Sequence, residues 1–196
     1  MRGLASMNIN TTMTAAMSMT KEAKGSITIG LPKKGLSGET AVPGDKSISH
    51  RAVMLGAIAE GETNVLNFLE GEDNLSTLKA FKQMGVEISH HDRIEFASTP
   101  VVGQLTIHGM GQGGLKEPED VIAANNSGTT ARLLTGLLSA QPFFSVITGD
   151  ASLRKRPMRR VVDPLRMMGA NITGRNDGGF LPFAINGGKL TGRKYI

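Results

Sequence analysis

Apolar and polar residues along the chain follow two alternating periods, which predict alternating strands and helices. Apolar residues at helical spacing predict helices over 47–59, 74–84, 127–140 and 158–169. Short runs rich in β-branched residues predict strands over 26–29, 39–42, 64–68, 86–89, 94–98, 105–109, 143–149, 170–173, 180–186 and 190–196. Gly61 and Gly85 are expected to end the first two helices. Pro164 is expected to loosen the fourth helix. This order of elements predicts an α/β fold.

An internal repeat organises these elements. FKQMGVEI, residues 81–88, matches LRMMGANI, residues 165–172, so that position 165 follows position 81 by 84 residues. Each segment joins a helix to a strand through Met-Gly, which predicts a supersecondary unit of the form βαβαββ. We place unit one at about 40–115 and unit two at about 116–196. Because the chain stops directly after unit two, we expect the complete domain to need more than this chain.

Composition narrows the class of protein. The 196 residues are 39% hydrophobic and carry a formal charge of +5, which favours a soluble protein with an anionic partner. Cysteine is absent, which excludes disulfides, zinc–thiolate sites and thiol catalysis. No run of about 18 apolar residues is present. We therefore expect a cytoplasmic enzyme, with residues 1–25 as a flexible N-terminal tail and residues 26–196 as an incomplete domain.

The segment PGDKSISHR, residues 43–51, is the first candidate site. Pro43-Gly44 predicts a turn, so Lys46, Ser47 and Arg51 fall at the beginning of a helix, where free N–H groups and the helix dipole favour an anion. Ser47 and Arg51 are four residues apart and share a face. The alternative is a Ser N-cap followed by surface cations.

The segment NNSGTTAR, residues 125–132, is the second candidate. Gly128 at a helix start lets a ligand approach the backbone, and Thr129 adds a hydroxyl. Arg132 follows one turn later, at the place that Arg51 is expected to hold in unit one. The alternative is an ordinary capped helix. Both candidates predict sites for small anions.

A third candidate is the basic run RKRPMRR, residues 154–160. Such a run is typical of a solvated face or of a nucleic-acid-binding patch. It also lies at the loop-to-helix junction equivalent to the start of the second helix in unit one, so one Arg is expected to point toward the other two sites. Trp is absent and Tyr occurs once, which disfavours a single-strand binder that stacks bases on aromatic rings.

Four segments together resemble the 5-enolpyruvylshikimate-3-phosphate synthase family. They are PGDKSISHRAVMLGAIAEG, NFLEGEDNLSTLKAFKQMGVEI, NNSGTTARLL and GDASLRKRPMRRVVDPLRMMGA. The resemblance covers residues from about 26 to the end and is closest to the bacterial branch that includes glyphosate-tolerant forms. It implies the inside-out α/β fold of the enolpyruvyl transferases, in which each domain has three βαβαββ units. This chain would hold two of them.

The resemblance also implies an activity and its residues. The family transfers the enolpyruvyl group of phosphoenolpyruvate to the 5-hydroxyl of shikimate 3-phosphate, in aromatic amino-acid biosynthesis, with neither cofactor nor metal. Lys46 would be catalytic and touch both substrates. Ser47 and Arg51 would hold shikimate 3-phosphate, while Gly128 and Arg156 would form part of the phosphoenolpyruvate site. Supporting neighbours would be Asp73, Asn126, Thr129 and Arg132.

One departure from the family pattern is Asn125, which stands where the family usually has Gly. Its side chain is expected to alter the turn beneath the phosphoenolpyruvate pocket. The family's acid/base carboxylates and further cations lie beyond Ile196, so we expect activity only with a complementary C-terminal chain. The rival interpretations are a basic nucleic-acid-binding module and a relative of the UDP-N-acetylglucosamine enolpyruvyl transferases. Ser47 and the absence of cysteine disfavour the latter.

Overall fold

A computed structural model describes residues 19–21, 27–29, 42–96 and 99–195. Contacts divide the chain into one unit over Met1–Val42 and another over Pro43–Ile196. In the first unit, β1 (Met19–Lys21) pairs antiparallel with β2 (Ile27–Ile29), inside the strand predicted over 26–29. Most of the strand predicted over 39–42 lies outside the described residues, and the division at residue 25 stays a prediction.

Within the larger unit, the first repeat forms two helices and a three-stranded sheet. Its elements are α1 (Lys46–Ile58), β3 (Glu60–Val65), α2 (Glu72–Gln83), β4 (Glu87–Phe96) and β5 (Thr99–Met110). The sheet order is β3-β5-β4, with both pairs antiparallel.

The second repeat has the same arrangement with one more strand and two short helical segments. Its elements are β6 (Ile122–Ala123), α3 (Gly128–Ser139), β7 (Phe144–Thr148), a 3-10 helix (Leu153–Lys155), α4 (Arg159–Met167), β8 (Asn171–Gly174), α5 (Arg175–Gly178) and β9 (Phe183–Asn186). The sheet order is β6-β7-β9-β8, in which β6 and β7 are parallel and the other pairs antiparallel. Thus β7-β9-β8 repeats the order β3-β5-β4.

The Met-Gly junctions confirm the repeat in hydrogen-bonding detail. Gly85 and Gly169 have φ angles of +86° and +100°, a left-handed conformation that glycine adopts without a Cβ penalty. At the first junction, the Val86 amide donates to Phe81 O at 3.1 Å. At the second, the Ala170 amide donates to Leu165 O at 2.9 Å. The matching sequences therefore end two helices by the same backbone device.

Several predicted boundaries differ from the structure. The strand predicted over 64–68 runs over Glu60–Val65 instead, because this polar segment pairs with β5 from Glu60↔Met110 to Val65↔Leu105. Gly61 consequently lies inside a strand rather than closing α1. The strands predicted over 86–89 and 94–98 fall largely on the single strand β4. No strand forms over the described residues 190–195, although one was expected there.

The apolar faces of the helices supply the core. Buried residues include Val53 and Ala57 on α1, Phe81 on α2, and Leu134 and Leu138 on α3. Pro164 lies inside α4, which continues to Met167.

The positions of the helix caps correct the expectation that Arg132 matches Arg51 in the repeat. Asp45 caps α1 and Ser127 caps α3, so the fifth residue after each cap is His50 in one helix and Arg132 in the other. Arg132 therefore corresponds to His50 and not to Arg51, because the difference of one residue turns a side chain by about 100° around a helix. Arg51 is exposed, whereas Arg132 is partly buried.

We expect Gly44→Ala to destabilise the fold. A Cβ at Gly44 would overlap the backbone oxygen of Asn67, a residue that itself has a φ of 56° in the loop after β3. The expected loss is about 2 kcal/mol of unfolding free energy, in the range of overpacking substitutions. Urea unfolding followed by circular dichroism measures it.

Gly136→Ala is the matched control, because Gly136 lies within α3 and a Cβ there meets no atom of the described residues within 4 Å. This substitution should stabilise by about 0.5–1 kcal/mol through helix propensity. Equal effects of the two substitutions would contradict the packing of Gly44 against Asn67.

Candidate functional site

The starts of α1 and α2 are joined through Lys46. Asp45 caps α1, its Oδ1 accepting a hydrogen bond from Ile48 N at 2.8 Å, so the cap is an Asp and not the Ser that the alternative interpretation required. Lys46 Nζ donates to Asp73 Oδ2 in the first turn of α2, and Asn74 Nδ2 donates to Lys46 O at 3.1 Å. The Lys46 side chain is still 52% exposed, so its ammonium group can also meet a ligand.

Ser47 and Arg51 lie on one face of α1, as the four-residue spacing predicted. Arg51 Nη1 donates to Ser47 O at 3.1 Å, and both residues are exposed. The Ser47 hydroxyl has no hydrogen-bond partner within the part of the chain that the structure describes. A guanidinium, a hydroxyl and the Lys46 ammonium therefore stand on the first two turns of one helix.

The start of α3 brings two guanidinium groups against Gly128. A Cβ on Gly128 would lie 2.5 Å from Arg132 Nη1 and 3.3 Å from Arg156 Nη1. Arg156 donates to Asn126 Oδ1, and Asn126 Nδ2 donates to Asp150 Oδ2 at 2.7 Å. A side chain at this position would push the two flexible guanidinium groups aside, whereas glycine leaves them in place and keeps the backbone open to a ligand.

These cations form an electropositive group. Burial lowers the pKa of Arg132, and the nearby charges of Arg160 and Arg156 lower it further. Arg132 reaches Gly128 O at 3.3 Å and Pro157 O at 3.4 Å, while its buried Nε has no hydrogen-bond partner among the described residues. An anion bound between Arg132 and Arg156 would relieve this mutual repulsion.

Asp150 organises the loop that carries Arg156. Its Oδ1 accepts a hydrogen bond from Leu153 N at 2.7 Å, at the start of the 3-10 helix. That bond, the bond from Asn126 and the charge of Arg156 hold the pKa of the Asp150 carboxyl below its ordinary value of 3.8. Asp150 is therefore a hydrogen-bond acceptor that holds this loop.

The basic run at 154–160 divides between the site and the surface. Arg156 is half-buried and reaches Asn126, which agrees with the expectation that one Arg points toward the site. Arg159 lies 3.7 Å from Asp163 Oδ1 and 3.9 Å from Asp177 Oδ2. The remaining cations of the run are exposed: Arg154, Lys155, Arg159 and Arg160. Arg156 therefore turns toward the site, while the others stay at the surface.

The two clusters adjoin where α2 meets α3. Thr130 Oγ1 lies 3.3 Å from Asp73 O, so the residue paired with Lys46 also contacts the first turn of α3. Thr129 is half-buried in that same turn. The structure thus brings together Lys46, Asp73, Gly128, Arg132 and Arg156 from segments up to 110 residues apart, since position 156 follows position 46 by that number.

Sequence reasoning missed two polar residues behind this site. Asn74 and His50 are fully buried, and each lies beside a residue that was singled out. A signal for His50 was present, because it shares the three- and four-residue spacing of the buried residues Val53, Met54 and Ala57. Asn74 carried no such signal, because its hydrogen bond to Lys46 O joins two helices.

Comparison with known proteins places the chain in a family. The sequence model of EPSP synthase (3-phosphoshikimate 1-carboxyvinyltransferase) matches residues 31–196. This chain belongs to the EPSP synthase family. It is 57% identical over 164 residues to the 3-phosphoshikimate 1-carboxyvinyltransferase of Geobacter sulfurreducens and 55% identical over 164 residues to that of Pelobacter propionicus. Each alignment covers 84% of this chain and 36% of the relative.

Solved structures agree with the family assignment. The EPSP synthase from Acinetobacter baumannii is 53% identical, with a TM-score of 0.72, over 81% of this chain and 34% of that one. The expected fold class is confirmed: this is the inside-out α/β fold of the enolpyruvyl transferases with its repeated units. The chain spans about a third of the length of the EPSP synthases it matches.

Every helix in the described part of the chain is too short or too polar to span a membrane. In the same residues, no group of three or more His, Asp or Glu side chains is arranged to hold a metal ion.

Asn125 adopts the conformation that a glycine would supply. Its φ is 49°, a left-handed value that Asn tolerates better than most residues, and its Nδ2 donates to Ser76 Oγ at 2.9 Å. Asn125 thus takes a left-handed conformation that also suits glycine, and its side chain adds a bond to α2. That this side chain alters the turn relative to the family pattern stays a prediction.

We expect Asn125→Ala to lower the free energy of unfolding by about 1 kcal/mol more than Asn125→Gly does. Both substitutions remove the hydrogen bond to Ser76, but only alanine carries a Cβ in the left-handed conformation. Urea unfolding of the two variants, with Ser76→Ala to complete a double-mutant cycle, separates the bond from the strain. Equal stability of the alanine and glycine variants would argue against backbone strain at this position.

We expect Asp150→Ala to lower stability at pH 7, and the deficit to shrink in acid. Because the folded pKa lies below the unfolded value of 3.8, the charged carboxylate stabilises the fold above pH 3.8, and this contribution is lost as the pH falls through the folded pKa. Urea unfolding of the protein and the variant between pH 7 and pH 2.5 measures the difference. Glu119→Ala, at an exposed loop position, is the control, and a deficit independent of pH would refute the role of the charge.

Proposed function

We propose that this chain forms part of the active site of an EPSP synthase, which transfers the enolpyruvyl group of phosphoenolpyruvate to the 5-hydroxyl of shikimate 3-phosphate. The observation that carries the proposal is the junction of the Lys46–Asp73 pair with the group formed by Gly128, Arg132 and Arg156. Two adjoining cationic regions suit two anionic reactants that repel each other. Family membership supplies the reaction.

In this proposal each region binds one reactant. Ser47 and Arg51 hold the phosphate of shikimate 3-phosphate on the exposed face of α1. Arg156 and the open backbone at Gly128 hold phosphoenolpyruvate, with Arg132, Asn126 and Thr129 as neighbours. Lys46 contacts both reactants in this proposal, while its bond to Asp73 orients the ammonium group.

The transfer then proceeds by addition and elimination. The 5-hydroxyl oxygen adds to C2 of phosphoenolpyruvate while C3 gains a proton and the hydroxyl loses one. The tetrahedral product loses that C3 proton and expels phosphate, which restores the double bond. Fixed cations stabilise charge that develops on the reacting groups, and holding two anions side by side removes much of the entropic barrier.

The chain is proposed to act together with the parts of the enzyme that its relatives carry over the other two thirds of their length. Those parts would supply the remaining acid/base carboxylates and cations, either from a complementary C-terminal chain or otherwise. A cytoplasmic location and catalysis without a cofactor belong to the same proposal.

The test is an assay of phosphate release from phosphoenolpyruvate plus shikimate 3-phosphate, with this chain alone and mixed with a chain that supplies the remaining part. We expect activity in the mixture. Arg156→Ala and Lys46→Ala should each lower kcat/KM by about 100-fold, the usual cost of removing a group that stabilises developing charge.

Lys155→Ala is the matched control, because it removes the neighbouring exposed cation of the same run. It should change kcat/KM by no more than about twofold, as surface substitutions usually do. A soluble, associated mixture without phosphate release would contradict the proposed function. Equal losses from Lys155→Ala and Arg156→Ala would contradict the assigned site and favour a diffuse basic surface.

A further inference from the structure

Three buried polar side chains connect helices α1, α2 and α3 directly behind the site. His50, Thr77 and Thr130 come from one helix each and are completely shielded from solvent. His50 Nδ1 lies 2.7 Å from Thr77 Oγ1, and Thr77 Oγ1 lies 2.7 Å from Thr130 Oγ1. Buried polar groups are costly unless they are paired, so this arrangement constrains how the three helices meet.

The direction of the hydrogen bonds follows from the groups that can accept the proton of the Thr130 hydroxyl. Thr130 Oγ1 contacts Asp73 O at 3.3 Å and Ser127 Oγ at 2.6 Å, and a carbonyl oxygen can only accept. The Thr130 hydroxyl has a single proton, and when that proton is on Asp73 O or Ser127 Oγ, the Thr77 hydroxyl donates to Thr130. The Thr77 proton is then used, so in this arrangement His50 donates to Thr77 from Nδ1–H.

The environment of His50 fits an imidazole with one proton. Burial lowers the pKa of His50, and the charges of Lys46 and Arg51 lower it further, while Asp73 opposes them. The ring is therefore neutral at pH 7. If Nδ1 carries the proton, Nε2 is an acceptor, and this buried atom has no hydrogen-bond partner among the described residues.

The chain of hydrogen bonds lies one helical turn from the residues proposed to bind substrate. His50 follows Lys46 by four residues and Thr77 follows Asp73 by four, so each member lies next to a site residue on its own helix. Thr130 follows Gly128 by two residues in the first turn of α3. A change in the spacing of these three helices would move Lys46 relative to Gly128.

We propose that His50, protonated on Nδ1, anchors a hydrogen-bond chain through Thr77 and Thr130 that fixes the Lys46–Asp73 region relative to Gly128. His50 and Thr77 are then positioning residues for enolpyruvyl transfer, an inference that rests on the proposed function. They touch neither reactant, and they act by holding the two cationic regions at one separation.

The kinetic test compares Thr77→Val with Thr135→Val in the mixture that carries activity. Thr135 is also buried, but its hydroxyl donates to Ala131 O in its own helix at 2.7 Å, so it does not connect helices. We expect Thr77→Val to lower kcat/KM for phosphoenolpyruvate by about tenfold, since small misplacement of reacting groups is costly. Thr135→Val should stay within about twofold even if it is equally destabilised.

A second comparison at His50 uses one variant that keeps a hydrogen-bond donor and one that lacks it. In His50→Asn the amide nitrogen can donate from near the position of Nδ1, whereas His50→Leu has no donor. The asparagine variant should therefore retain kcat/KM within about threefold, while the leucine variant should resemble Thr77→Val. Equal losses in the two His50 variants, or equal losses in Thr77→Val and Thr135→Val, would overturn the inference.

An independent measurement needs no activity. Nitrogen-15 NMR of the labelled chain should detect the His50 proton on Nδ1 at pH 7, and the Gly128 amide resonance should shift in Thr77→Val but not in Thr135→Val. A proton on Nε2, or an unmoved Gly128 resonance in Thr77→Val, would overturn the inference. If the unsubstituted mixture releases no phosphate, the proposed function fails, and NMR alone then decides whether the chain of hydrogen bonds sets the geometry at Gly128.

Discussion

The contact between Thr130 and the backbone oxygen of Asp73 is the interaction on which the site depends. It joins the second helix of one repeat to the first helix of the next, at the end where both carry their charged residues. Asp73 also pairs with Lys46, and Thr130 lies two residues from Gly128. One short connection therefore brings a lysine and two arginines from distant segments into adjoining regions.

The repeat explains why such a connection is available. Each unit ends a helix through Met-Gly with a left-handed glycine and returns along an antiparallel pair of strands. Because the two units share this geometry, the helices α1 and α3 begin on equivalent loops, and their caps, Asp45 and Ser127, occupy equivalent places. The units then differ in charge: Asp73 stands at the start of α2, and Arg156 lies in the loop before α4.

At this junction the charged groups repel one another, whereas the buried polar groups hold the helices together. Burial, and then the charges of Arg160 and Arg156, lower the pKa of Arg132, and these cations are best satisfied by an anion. Behind them, the uncharged His50, Thr77 and Thr130 form hydrogen bonds that hold the helices together. In the proposed enzyme, the repulsion between the cations favours binding of anionic substrates. The hydrogen bonds preserve the geometry in which binding leads to reaction.

The sequence by itself determined the helices, the repeat and the segments that carry Lys46, Gly128 and Arg156, because helical periodicity and the Met-Gly and Gly-rich motifs are local. It could not determine that β3 runs over polar residues or that 86–89 and 94–98 share one strand, since cross-strand pairing decided both. It also could not identify Asn74, or the links from Asn125 to Ser76 and from His50 to Thr77, because these hydrogen bonds join residues from different elements. Only the packing of these elements against one another, which is a long-range property of the chain, brought those groups within bonding distance.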